Sequence, residues 1–344
     1  MMAAVLLAPV LLAPSAVGPG ISPPTLRAKA FVLDHQAKAA ALGARSSRLT
    51  HDPDELTATL RRGLAALGDP EYLAGQRRVT PGIGSLHGVR LPLLDAVAVS
   101  FRAGTKGVST DQLLLIADRL LRDEHQEPRW LAMGILERVV TTDPERSWQL
   151  IRQAAREAGD WIAIDTLAHA AGRGVLAEPY RWAELDQLAF SPSRWERRLI
   201  GSTTAIIPFM DLDKGRRPEI AVRGIELLAQ LIGDAEPEVQ QAISWAYRSL
   251  LRVDAQAVEA ALAAEAAIAA ATNDGHRAWV IRDTCSKLTP AAAEPLRAGL
   301  AGIRRRAGTP STSRAARIAA DFGMLPDPAA HPEPRSSSRR RLHR

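Results

Sequence analysis

An all-α architecture of stacked helix pairs is the expectation for this chain, on three grounds. Between about residues 52 and 303 the apolar positions recur at helical spacing, and strand-like alternation is scarcely present. Helix starts are marked by polar caps or early prolines. A proline-and-charge lead-in followed by a buried-looking helix comes back along the chain.

Taken in order, the first eighteen residues, MMAAVLLAPVLLAPSAVG, are apolar but lack a basic n-region and are interrupted by Pro9 and Pro14. They read as an unstructured start rather than a secretory signal, and the run is too short to cross a bilayer. Residues 1–50 are accordingly expected to be a disordered extension. Helix starts follow at Ser109-Thr110-Asp111, at Asp143-Pro144-Glu145 and at Pro237-Glu238, where a cap oxygen or a proline deals with the orphan amides of the first turn. Breaks are expected at Gly68-Asp69-Pro70, Gly104 to Gly107, Gly172 to Gly174, Asp211 to Arg217 and Asn273-Asp274-Gly275.

The repeated lead-ins are Glu127-Pro128-Arg129-Trp130, Pro192-Ser193-Arg194-Trp195 and Glu236-Pro237-Glu238 leading to Trp245. Pro128, Pro192 and Pro237 lie 64 and 45 residues apart, and the second interval is the length of one helix pair of the HEAT kind. Such pairs stack into a solenoid with a concave face; an irregular all-α domain is the alternative. From about residue 304 the composition turns to Arg, Ser and Pro, ending RSSSRRRLHR, so residues 304–344 are expected to be a disordered, Arg-rich tail around a helical domain spanning 51–303.

Charge follows that division. The net +6 resolves into +4 for residues 1–50 and +7 for residues 301–344, leaving −5 for the body between them. Any polyanion contact by the body must therefore rest on a local patch. Cys285 is the single cysteine, which removes disulfide frameworks and Cys-x-x-Cys metal or redox sites and points to a reducing, intracellular setting. Eight scattered histidines supply no metal set or His-based nucleophile, and Gly82-Ile-Gly84-Ser-Leu-His-Gly88 has the wrong spacing, and no preceding strand, for a dinucleotide loop. No cofactor or metal is expected, and no segment after the start suits a membrane.

Tryptophan is the unusual residue: seven Trp stand against five Phe and three Tyr. Trp161 and Asp165 lie four apart and project from one face of a helix that Asp160 would cap. An indole and a carboxylate side by side suit a cation, or else are a core Trp beside an Asp paired with a neighbouring Arg. Trp195 and Arg198 lie three apart inside the charge run Arg194 to Arg198, which reads either as a phosphate fork or as a solvated face. Trp245, among apolar neighbours, reads as core.

Together these residues resemble the DNA alkylation repair family, the HEAT-like-repeat glycosylases that remove alkylated purines. The resemblance covers about 55 to 300: Gly68-Asp69-Pro70-Glu71, His87-Gly88-Val89-Arg90-x-Pro92, Glu127-x-Arg129-Trp130-Leu131-Ala132, Trp148, Trp161-x3-Asp165-Thr166-Leu167-Ala168, Trp195-x2-Arg198, Gln241-Ala242-Ile243-Ser244-Trp245-Ala246-x-Arg248 and Trp279-Val280-Ile281-Arg282. It implies a concave DNA-binding face, Asp165 as the catalytic carboxylate, and Trp161 and Trp245 against the deoxyribose of the lesion. It also implies that Arg198 grips the adjacent backbone, with Trp195, Arg197 and Arg248 as further DNA contacts. The implied partner is double-stranded DNA carrying alkylated purines, bound without deep-pocket base flipping; the sequence gives no grounds for an oligomer, so a monomer is expected, cytoplasmic and nucleoid-associated. The chemistry agrees: a purine alkylated at ring position 3 or 7 is already cationic, so one carboxylate suffices where other glycosidases need two. Two departures stand out, Ile162 where an acid often follows the first Trp, and Arg77-Arg78-Val79-Thr80 where a tyrosine is usual. The missing tyrosine, with the acidic body and the basic ends of the chain, keeps a second reading open, a DNA-structure-binding member of the fold without catalysis; a HEAT-like protein scaffold is a third.

Overall fold

The computed structural model describes residues 23–80 and 82–321. It is all-helical, and its helices follow one another as α1 (Pro23–Ser46), α2 (Pro53–Ala65), α3 (Pro70–Val79), α4 (Leu91–Gly104), α5 (Thr110–Leu121), α6 (Gln126–Val139), α7 (Pro144–Arg156) and α8 (Trp161–Ala177). The second half adds α9 (Arg181–Leu188), α10 (Arg194–Met210), α11 (Pro218–Leu231), α12 (Pro237–Leu250), α13 (Ala255–Thr272), α14 (Gly275–Thr284), α15 (Pro290–Gly299) and α16 (Arg314–Asp321).

The helices stack as successive pairs, α5 with α6, α7 with α8, α9 with α10, α11 with α12 and α13 with α14. The second members form one continuous layer, in which α4, α6, α8, α10, α12 and α14 each pack on the next. This is a helical-repeat fold, in which each unit buries its apolar face against its neighbours. α10 approaches α12 closely at Gly201, where a Cβ would come within 2.7 Å of the Ala242 backbone.

Caps explain where helices of both the layer and its outer partners begin. Asp143, Asp160, Ser193, Asp254 and Asp274 each accept a hydrogen bond from a first-turn amide of the helix that follows. α13 ends at Asn273, whose φ of 54° is the left-handed conformation that terminates a helix and that asparagine tolerates. The 64-residue proline interval hides one copy of the repeat: α8 starts between Pro128 and Pro192 with an Asp cap and no proline.

Three boundary expectations are corrected. Residues 23–46 of the supposed N-terminal extension form α1, which packs along α4 with Ala39 and Leu42 buried. The prolines at its start suit a helix N-terminus. Residues 304–321 are likewise folded: the Thr312 amide donates to the Gly233 carbonyl at 2.8 Å, Ser313 is buried, and α16 lies on α11. The expectations for residues 1–22 and 322–344 lie outside the described residues. Finally, α8 runs through Gly172 to Gly174 without a break, because both glycines let neighbours approach closely, Gly172 toward Met210 and Gly174 toward Val140 and Trp148. Among the described residues no helix is long and apolar enough to cross a membrane.

Candidate active site

The site is built at the N-terminal halves of α8 and α10 and the first turn of α12. Asp160 caps α8 through a bond from the Ala163 amide to its Oδ1 at 2.9 Å, and this sets the direction in which Trp161 and Asp165 leave the helix one turn apart. On α10, Arg198 and Ser202 are also four apart and face them. Arg198 Nε donates to Asp165 Oδ1 at 3.1 Å and its second terminal nitrogen to Oδ2 at 2.8 Å, a fork that lysine cannot reproduce. The Ser202 hydroxyl donates to Oδ1 at 2.6 Å. The remaining Arg198 terminal nitrogen reaches the Glu238 carbonyl of α12 at 2.6 Å, so one guanidinium ties three layer helices together.

The same guanidinium lies 5.9 Å from the centre of the Trp161 ring. Trp161 is half-buried; the Asp165 side chain is 12% exposed and that of Arg198 4%. An indole and a carboxylate thus border solvent together while the arginine behind them is sealed. His169, one turn beyond Asp165, is buried, and burial pushes its imidazole below the usual range. Asp160 is buried too, with Oδ2 unpartnered, and burial pushes its carboxyl up to about 6.

The other expected residues fall differently. Trp245 stands on α12, half-buried against the core, and makes no hydrogen bond or ring contact among the described residues. Trp195 is half-buried under the Arg194 guanidinium, 4.9 Å from its ring centre. Arg248 donates to Asp283 of α14 at 2.6 Å and stays partly exposed. Arg197, expected as a DNA contact, is buried, donates to Asp234 at 2.7 Å and also to the carbonyls of Ser191 and Pro192. Presenting it to a phosphate would leave Asp234 buried and unpaired, a change that costs several kcal/mol. Arg198, expected to grip the DNA backbone, is engaged here by Asp165 and the Glu238 carbonyl.

Ser202 and the Glu238 carbonyl went unseen in the sequence, although the spacing of Arg198 and Ser202 repeats that of Trp161 and Asp165. Glu127 is a further unforeseen anchor. Fully buried at the start of α6, it accepts the amides of His87, Gly88 and Val89 at 3.1, 2.8 and 3.2 Å and so fixes the loop between α3 and α4. Gly88 in that loop has a φ of 81°, and a Cβ there would also strike Leu73. No group of three or more potential metal ligands occurs among the described residues.

The family model described as DNA alkylation repair enzyme matches residues 60–288. The match runs from α2 to the end of α14 and contains every residue of the site. A search of curated proteins returns no match to the chain.

Proposed function

Since the chain belongs to the DNA alkylation repair enzyme family, we propose that it is a monofunctional DNA glycosylase that hydrolyses the N-glycosidic bond of cationic 3- or 7-alkylated purines in duplex DNA. The observation that carries this reading is the Asp165 carboxylate, gripped by Arg198 and Ser202 and bordered by the Trp161 indole.

The lesion brings its own positive charge, so the bond electrons pass to the purine nitrogen and neutralise it without a general acid. Positive charge then develops on the deoxyribose, where Asp165 stabilises it and the indole faces of Trp161 and Trp245 add to the effect. Water adds to the sugar carbon and gives its proton to Asp165. Arg198 is a positioning residue in this scheme: its fork holds the carboxylate in one rotamer, and its bond to Glu238 fixes that rotamer relative to α12. Trp195 and Arg248 remain partly exposed and serve as DNA contacts. The scheme needs no lysine nucleophile and hence no strand-cleaving step, and no cofactor.

The test is release of free base from methylated duplex DNA by the wild type and Asp165→Asn at matched concentration. Loss of about 100-fold or more in the variant, with circular dichroism unchanged, is the expected result. Equal release by both proteins would overturn the role of Asp165. No release by either, with duplex binding that weakens steeply as salt rises, would establish instead a non-catalytic DNA-binding member of the fold.

A further inference from the structure

The arrangement around Asp165 occurs a second time. Trp161-x3-Asp165-Thr166 on α8 is matched by Trp279-x3-Asp283-Thr284 on α14. Both threonines bond back to the carbonyl four residues earlier, Thr166 to Ile162 at 2.8 Å and Thr284 to Val280 at 2.9 Å. Both carboxylates accept from a serine and an arginine four apart on an adjacent layer helix: Ser202 and Arg198 of α10 for Asp165, Ser244 and Arg248 of α12 for Asp283, the latter at 2.7 and 2.6 Å. Both indoles also carry an arginine over the ring, Arg198 at 5.9 Å and Arg305 at 5.4 Å.

The second arrangement is the more open. The Asp283 side chain is 37% exposed against 12% for Asp165. Both bonds to Asp283 fall on Oδ2, and among the described residues Oδ1 accepts none. Asp283 thus staples α12 to α14 through one oxygen and keeps the other without a protein donor among the described residues, one turn of α14 from Trp279. Arg305 comes from the exposed segment between α15 and α16, tethered by a bond to Gln240 Oε1 at 2.6 Å. Its guanidinium is a planar, delocalised cation resting on the Trp279 face, the shape and charge that an indole beside a carboxylate selects.

We propose that Trp279 and Asp283 form a second binding site, for a planar aromatic cation of the N-alkylated purine class, and that Arg305 is the internal occupant such a ring displaces. The class of ligand rests on the reading of the Asp165 site; the existence of the site rests on the geometry above. Ser244 and Arg248 hold the carboxylate from below, leaving Oδ1 for an exocyclic or ring N–H of the ligand.

Calorimetric titration of the full chain with 7-methylguanosine, in mildly acidic buffer where its ring is cationic, tests this with guanosine as the neutral control. Asp283→Asn, which keeps the shape of the side chain, is expected to weaken binding about tenfold, and Arg305→Ala to tighten it about threefold by removing the competitor. Guanosine is expected to bind about tenfold more weakly than its methylated form. Because Arg305 lies on an exposed segment, its variant keeps the fold and decides the matter if Asp283→Asn does not. Binding unchanged in both variants, equal binding of guanosine, or no binding at all would overturn the site. Binding lost in Asp165→Asn but kept in Asp283→Asn would overturn it while leaving the glycosylase reading in place. Binding lost only in Asp283→Asn, together with unimpaired base release by Asp165→Asn, would uphold the second site and overturn the first.

Discussion

Replacing Asp160 by asparagine is expected to stabilise the protein at neutral pH and to leave it unchanged in acid. The side chain is 1% exposed; Oδ1 receives the Ala163 amide and Oδ2 has no partner. Burial raises its carboxyl from the ordinary 3.8 to about 6, against the pull of the Ala163 and Ile162 amides and Arg129, while the nearby Asp165 charge adds to the rise. The folded value therefore lies above the unfolded one. As pH climbs past the unfolded value the unfolded chain releases this proton first, so stability falls between about pH 4 and pH 6 and stays lower above that window. The gap between 3.8 and about 6 corresponds to about 3 kcal/mol as an upper bound. Asparagine keeps the cap oxygen and resembles the protonated acid, so it escapes this penalty. Urea unfolding of wild type and Asp160→Asn near pH 4 and near pH 7 reads the difference directly. The carboxylates whose values are lowered, such as Asp69 and Asp123, act alike in both proteins and cancel. A stability difference equal at the two pH values, or a variant weaker than wild type at neutral pH, would refute the reasoning.

Three further outcomes follow from the packing. Glu127→Ala leaves the buried amides of His87, Gly88 and Val89 without their acceptor and is expected to lower unfolding free energy by about 4 kcal/mol, seen as a shift in the urea midpoint; a shift under about 1 kcal/mol would count against the anchoring role. Arg198→Lys keeps the charge but loses the fork on Asp165 and the reach to Glu238, so base release should fall about tenfold or more through kcat with KM for duplex little changed; a rise in KM alone would show that Arg198 acts on DNA instead. Gly201→Ala places a Cβ against the Ala242 backbone and forces α10 and α12 apart, at a cost of about 1–3 kcal/mol in thermal or urea unfolding, whereas a neutral effect would mean the contact is easily relaxed.

The helices were legible because their signals are local. Caps such as Asp143 and Asp160, and the left-handed Asn273, act within one turn of chain, and the sequence carries them openly. The ends were misjudged because composition hid them. α1 follows an apolar, proline-interrupted stretch, and the segment from 304 to 321 is arginine-rich, yet each is held by contacts to distant parts of the chain, α4 in one case and Gly233 in the other. At the site, one-helix geometry placed Trp161 and Asp165 on a common face, but nothing local shows that Asp165 meets partners 33 and 37 residues away. The run Arg194 to Arg198 illustrates the same limit: the residues look alike in sequence, while the structure buries Arg197 on Asp234 and Arg198 on Asp165 and leaves Arg194 at the surface of Trp195. Exposure is decided by which neighbour arrives across the layer.

The guanidinium of Arg198, bonded at once to α8 and α12 from its seat on α10, gives the cluster around Asp165 a particular kind of dependence. In an array whose units touch only their neighbours, most properties are set by a unit and the interfaces beside it. A centre shared by three consecutive units is different: no unit owns it, and it exists only when all three have docked in register. An insertion of one residue between Trp161 and Asp165, or a slip of α12 by one turn, would dissolve it while leaving every helix intact.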